Sequence, residues 1–294
     1  MTLYDLLEKK KILLADGAWG TEFAKKGLTA GGDCPELFNV EYPDIVHEIA
    51  ALYINAGSDI ILTNTFGGSP YKLAKYGLDK RLEDLNEAGV RISKEAAGDR
   101  ALVLGSIGPT GEFLAPLGLI TEEDMTTGFA RQVRAFVAGG ADGVLIETMT
   151  DLGEMKCALR AAQENSDLPV ICSMTFDKGI KGYATMMGVK PGEAVRALEE
   201  AGADIVGSNC GWGIEIIIEV AHIMRAATPL PLWFKPNAGI PELVDGTTVY
   251  SDTPEKMASF LPALIKAGAN IVGGCCGTSP EHIRKMREII DETK

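Results

Sequence analysis

Ala201-Gly202-Ala203-Asp204-Ile205-Val206 decides the reading of the fold, because the chain writes this stretch four times. Ala56-Gly57-Ser58-Asp59-Ile60-Ile61, Gly140-Ala141-Asp142-Gly143-Val144-Leu145 and Ala267-Gly268-Ala269-Asn270-Ile271-Val272 share its pattern. Each copy follows a segment of helical periodicity and leads into a short apolar run. A glycine ending a helix, a tight polar turn and a buried β-branched run make an α-to-β junction. Four more apolar runs lie among the copies: Ile12-Leu13-Leu14-Ala15, Ala101-Leu102-Val103-Leu104, Pro169-Val170-Ile171-Cys172 and Pro231-Leu232-Trp233-Phe234. Eight strands separated by segments long enough for helices call for a parallel sheet closed as a (β/α)8 TIM barrel. An open doubly wound sheet is the alternative, weakened because no G-x-G-x-x-G turn follows the first strand. No linker rich in Pro, Ser or charge divides the chain, so residues 1–294 read as one barrel domain.

Composition narrows the function classes. Asp plus Glu number 41 against 28 Lys plus Arg, a formal net charge of −13. Such a surface repels phosphate backbones and anionic lipid, so nucleic acid and membrane are not expected partners. No apolar run approaches the ~20 residues of a membrane span. The opening Met1-Thr2-Leu3-Tyr4-Asp5 lacks the basic-then-apolar pattern of a signal peptide, and the expected location is cytoplasmic. In a large chain of this kind six cysteines read as thiols or metal ligands, not as a disulfide framework. Cys157, in a helical segment, and Cys172, in an apolar run, read as buried small hydrophobes. Cys34 has no assigned role.

In a barrel, the residues just past each strand gather at one face, where active sites are built. Here these ends are Asp16-Gly17-Ala18, Thr63-Asn64-Thr65-Phe66, Ser106-Ile107-Gly108-Pro109, Glu147-Thr148-Met149, Ser173-Met174-Thr175, Asn209-Cys210, Lys235-Pro236-Asn237-Ala238-Gly239 and Cys275-Cys276. The irregular stretch 27–39 is expected to fold over the same face or a barrel end. Adjacent Cys275 and Cys276 make a poor disulfide but can both reach one soft metal ion, and Cys210 closes an equivalent run. Three thiolates from two such ends suggest tetrahedral zinc with its fourth position free to hold and activate a substrate thiol. A structural zinc would need a fourth protein ligand, for which His282 is the obvious candidate.

Asp16-Gly17-Ala18-Trp19-Gly20-Thr21, Thr63-Asn64-Thr65-Phe66, Glu147-Thr148, Asn209-Cys210, Lys235-Pro236-Asn237-Ala238-Gly239 and Gly274-Cys275-Cys276-Gly277-Thr278 resemble, in order and over nearly the whole chain, the homocysteine S-methyltransferase family. Asp33-Cys34-Pro35-Glu36, Tyr71-Lys72-Leu73, Tyr76-Gly77-Leu78 and Ser106-Ile107-Gly108-Pro109-Thr110-Gly111 are similar to one of its subgroups, the homocysteine-binding domain of cobalamin-dependent methionine synthases. The resemblance implies a zinc-dependent methyltransferase that moves a methyl group to the thiol of homocysteine, forming methionine. It implies Zn2+ on Cys210, Cys275 and Cys276, and an amino-acid pocket using the backbone around Gly17 and Ala18, with Glu147 near the substrate ammonium. Asp16 and Asn237 match motif positions that shape that pocket. Asn64 and Thr65 are further substrate-binding candidates; Thr65, Ser106 and Thr148 are possible donors to the substrate carboxylate.

For each site residue a plainer reading stands beside this one: a salt bridge or helix cap for Glu147, and turn chemistry for Asp16, Asn64 and Asn237. Three departures bear on specificity. Cys210 is followed by Gly211-Trp212-Gly213, where the family has a small residue, leucine and glycine, which opens the alternative of another thiol acceptor. The loop Gly67-Gly68-Ser69 lacks the tyrosine of betaine-using relatives, disfavouring betaine as donor. Methionine synthases continue into pterin- and cobalamin-binding domains, whereas this sequence stops at Lys294. Either the donor is methylcobalamin on a separate corrinoid protein, or it is a small methyl donor, or the sequence is a fragment of a longer protein; a non-catalytic zinc- and thiol-binding subunit is the remaining alternative.

Overall fold

The computed structural model describes residues 2–28, 34–180, 182–244 and 247–292. Asp33 of the subgroup motif and Lys294 lie outside the described residues. Eight parallel strands form one sheet: β1 (Leu13–Leu14), β2 (Ile60–Leu62), β3 (Leu102–Ile107), β4 (Gly143–Met149), β5 (Val170–Met174), β6 (Ile205–Gly213), β7 (Leu232–Asn237) and β8 (Ile271–Val272). Their order in space follows their order in the chain, with β8 beside β1. A parallel bridge between Ala15 and Ile60 joins β1 to β2 and closes the ring. The (β/α)8 barrel expected from the repeat is the fold observed.

The four repeated stretches lead into β2, β4, β6 and β8. Their glycines, Gly57, Gly140, Gly202 and Gly268, have φ of +102°, +84°, +86° and +108°, where a side chain would be strained. The polar residue two positions later links neighbouring strands. Carboxylate oxygens of Asp59, Asp142 and Asp204 accept from the backbone N–H of Leu14, Val103 and Val170 at 2.9, 2.8 and 2.8 Å. Asn270 Oδ1 accepts from Leu232 N at 3.0 Å. In return the backbone N–H of each repeat residue donates to the carbonyl of the same strand residue, at 2.6 to 3.1 Å. The repeat thus clamps β1 to β2, β3 to β4, β5 to β6 and β7 to β8 at their N-terminal ends. Removing one clamp acceptor costs about one hydrogen bond plus the desolvation of an unpaired N–H. Asn270→Ala is accordingly expected to destabilise by about 1–2 kcal/mol in denaturant unfolding.

Two apolar layers result. Leu13, Ala15, Ile60, Leu62, Leu102, Leu104, Leu145, Ile171, Ile205, Trp233 and Ile271 fill the barrel interior, joined from below by Leu3 and Leu6 of the helix Leu3–Lys10. The outer strand faces pack against the surrounding helices in a larger cluster. Burying each such Leu or Ile contributes about 2 kcal/mol. Cys157 and Cys172 are buried in the outer cluster, as expected. Two antiparallel hairpins that the sequence reading lacked follow β5 and β7: Asp177–Gly179 with Gly182–Ala184, and Pro241–Val244 with Thr247–Tyr250. The described part of 27–39 contains a turn of 3-10 helix, Pro35–Leu37. Buried Glu36 accepts from Gly67 N at 2.6 Å, which docks this segment on the loop after β2, at the active-site face. Cys34 donates to the same carboxylate at 3.2 Å.

Candidate metal centre

Cys275 and Cys276 follow β8, and Cys210 lies near the end of β6. Their sulfurs all fall within 4.8 Å of one another, with Cys210 Sγ 3.8 Å from Cys276 Sγ. Cys210 reaches this place through a left-handed backbone, φ 62°, at a register shift between Asn209 and Gly213. Thr148, at a matching shift near the end of β4, also has φ 62°. Such conformations persist when surrounding contacts over-determine them. Asn209 provides those contacts. Its Oδ1 accepts from Thr148 N at 2.9 Å and Ser173 Oγ at 2.7 Å, while Nδ2 donates to Thr148 Oγ1 at 2.7 Å. Nδ2 also lies 3.4 Å from Glu147 Oε2 and 3.8 Å from Cys275 Sγ.

Protein groups alone push all three thiols above the ordinary thiol range. The hydrogen bond with Cys275 lowers Cys210, but the Cys276 thiol and burial outweigh it and push Cys210 up to about 11. Three soft donors gathered with no protein cation hydrogen-bonded to them among the described residues fit a thiophilic divalent ion, zinc above all. His282 does not supply a fourth ligand. Its Nε2 lies 3.0 Å from the Asp252 carbonyl, and its Nδ1 accepts from Ser279 N at 3.1 Å.

Below the thiols is a buried charged layer. Asp16, at 0% exposure, takes Lys235 Nζ on Oδ1 at 2.6 Å, and Leu62 N and Trp19 Nε1 on Oδ2 at 2.8 and 2.9 Å. Glu147 accepts from Ser106 Oγ at 2.6 Å. Burial pushes its carboxyl above the usual range, against the opposing pull of Lys235 and Ser106. Burial disfavours the Lys235 ammonium, yet Asp16 and Glu147 outweigh it, and its pKa is raised.

Gly17 has no room for a side chain, since a β-carbon would meet the Tyr53 ring at 2.8 Å and Thr278 Oγ1 at 2.9 Å. Tyr53 donates to the Ala18 carbonyl at 2.7 Å and Ala18 N donates to Thr278 Oγ1 at 3.2 Å, so this turn is fastened to the Cys275–Cys276 turn. Asn237 is buried with its Oδ1 unpartnered among the described residues. Asn64 and Thr65 face other duties. Asn64 Nδ2 donates to the Pro35 carbonyl and to Asn39 Oδ1, and Thr65 Oγ1 to the Ser106 carbonyl. The buried Trp212 indole N–H has no partner among the described residues. Asn209 and Lys235, which sequence reasoning did not single out, prove central to the layout. Their sequence signals were a polar residue at the end of an apolar strand and membership of two quoted motifs, neither of which assigned them a role.

The C-terminal mouth of the barrel thus carries three converging thiols, a donor set that could hold a metal ion, above a buried carboxylate layer. The chain belongs to the homocysteine S-methyltransferase family, whose model matches residues 13–290. It is 33% identical to methionine synthase of Mycobacterium leprae over 303 residues, covering 96% of this chain and 25% of that protein. Against methionine synthase of Mycobacterium tuberculosis it is 32% identical over 311 residues, covering 99% and 26%. The chain thus spans about a quarter of the length of these relatives. The metallated form of the homocysteine methyltransferase MmuM from Escherichia coli superposes with a TM-score of 0.83 at 25% identity, covering 97% of this chain and 99% of that one. Among the described residues no helix is long and apolar enough to cross a membrane.

Proposed function

We propose that this protein transfers a methyl group to the thiol of homocysteine, giving methionine, with zinc held by Cys210, Cys275 and Cys276. The convergence of those three sulfurs at the barrel mouth carries the reading. A zinc ion there would supply an electrophile that favours the deprotonated form of the acceptor thiol while three anionic donors keep that sulfur nucleophilic. Glu147 meets the substrate ammonium, which compensates a carboxylate otherwise costly to bury. The backbone of Gly17 and Ala18 and the unpartnered Asn237 Oδ1 shape the rest of the amino-acid pocket, and Asp16 fixes its floor. In-line transfer then requires a methyl group presented from the open side.

The donor we infer is a methylated corrinoid carried by a protein. Phe66, Phe113, Leu117, Leu119, Ile180, Met186 and Leu243 are exposed on the loops following β2, β3, β5 and β7, around the mouth. Exposed apolar side chains gathered at one face mark a macromolecular contact better than they suit a small polar donor. In the methionine synthase relatives, three quarters of the chain lies outside the matched region, which accords with a donor held elsewhere. The orphan Trp212 N–H beside Cys210 favours a second reading, a thiol acceptor carrying a group for that donor.

Calorimetric titration of the zinc-loaded protein with L-homocysteine tests the proposal. Binding near one equivalent with release of a proton is expected. Full zinc content with no homocysteine binding would overturn homocysteine as acceptor and leave the second reading.

A further inference from the structure

Lys235 is a cation where a barrel interior has least reason to hold one. Its side chain is 3% exposed, with Nζ 2.6 Å from Asp16 Oδ1 and 5.9 Å from the centroid of the Trp233 ring. The Trp233 ring belongs to the apolar barrel interior, so the ammonium marks the boundary where that interior gives way to the charged layer. Among the described residues it makes one hydrogen bond, to Asp16, and so has donor capacity left over. Glu147, reaching the same layer from β4, lies within its electrostatic range. Asp16 is saturated by Lys235, Leu62 N and Trp19 Nε1.

The charge count has a chemical consequence. Asp16 and Glu147 alone would give the pocket floor two negative charges, a match for a bare aminothiol cation. Lys235 cancels one of them and adds a cationic donor beneath the pocket. The floor then suits a ligand that brings one ammonium and one carboxylate. We propose that Lys235 is the specificity-determining residue of the acceptor pocket, selecting a zwitterionic amino-acid thiol over an aminothiol that lacks the carboxylate. This rests on the reading of the cysteine cluster as an acceptor-thiol site.

The test compares L-homocysteine with its decarboxylated counterpart, 3-aminopropane-1-thiol, by calorimetric binding to the zinc-loaded full chain. Wild type binds homocysteine more tightly. In Lys235→Met and Lys235→Gln the ratio of the two affinities falls about 10-fold or more, because removing a positive charge favours the more positive ligand. Zinc content and thermal melts show that each variant is folded and loaded. A ratio unchanged within about twofold in loaded variants overturns the assignment, as does a wild type that prefers 3-aminopropane-1-thiol. That second comparison needs no variant and stands even if both fail to fold. A wild type that binds neither thiol overturns homocysteine as the acceptor, and the Lys235 assignment with it, an outcome distinct from the first two.

Discussion

Cys276→Ala is expected to lower methyl transfer to homocysteine at least about 1,000-fold and to reduce zinc retained after dialysis well below one equivalent. The argument is geometric. Cys210 and Cys276 come from opposite ends of a 66-residue separation to within 3.8 Å, and Cys275 shares the same space. Two thiols cannot complete the three-donor set that leaves one position for a substrate, and no histidine stands ready to replace the third, since His282 is engaged with Asp252 and Ser279. Cys172→Ala is the internal comparison: that thiol is fully buried within the outer core cluster and absent from the metal cluster, so zinc content should be unaffected. Metal analysis and a methyl-transfer assay on the two variants side by side decide the matter. Wild-type activity with full zinc in Cys276→Ala would remove the metal role from this cluster.

Asp16→Asn should cost about 3–5 kcal/mol of stability, because it leaves the Lys235 ammonium without its hydrogen-bonded counter-ion in a water-excluded layer. For a domain of this size that corresponds to a fall in Tm of roughly 6–15 °C. Glu147 remains within electrostatic reach and offsets part of the loss, which favours the lower end of the range. The double variant Asp16→Asn/Lys235→Met should recover much of the deficit, since it removes the uncompensated charge together with its partner. Additive losses in thermal or denaturant unfolding would show that the pair is not coupled.

The alternation of apolar runs with helical segments, and the four copies of a glycine-turn-strand junction, were enough to read a closed eight-stranded barrel. Both features are local and periodic, and a parallel sheet demands them of every unit. Local pattern also placed the three cysteines at one face, because every strand end in such a barrel points the same way. The polar residue of the repeat was visible but its work was not. Asp204 bonds the backbone of Val170, on the strand before it, and only the register of neighbouring strands reveals that clamp. Tertiary structure alone decided how the site is assembled. Lys235 meets Asp16 across 219 residues, and Asn209 secures a left-handed Thr148 from 61 residues away. The reversed backbone at Cys210 depends on the same strand-to-strand register. Which side chain neutralises which depends on where strands from distant parts of the chain stand around the ring, and electrostatics acts through that space without regard to sequence order.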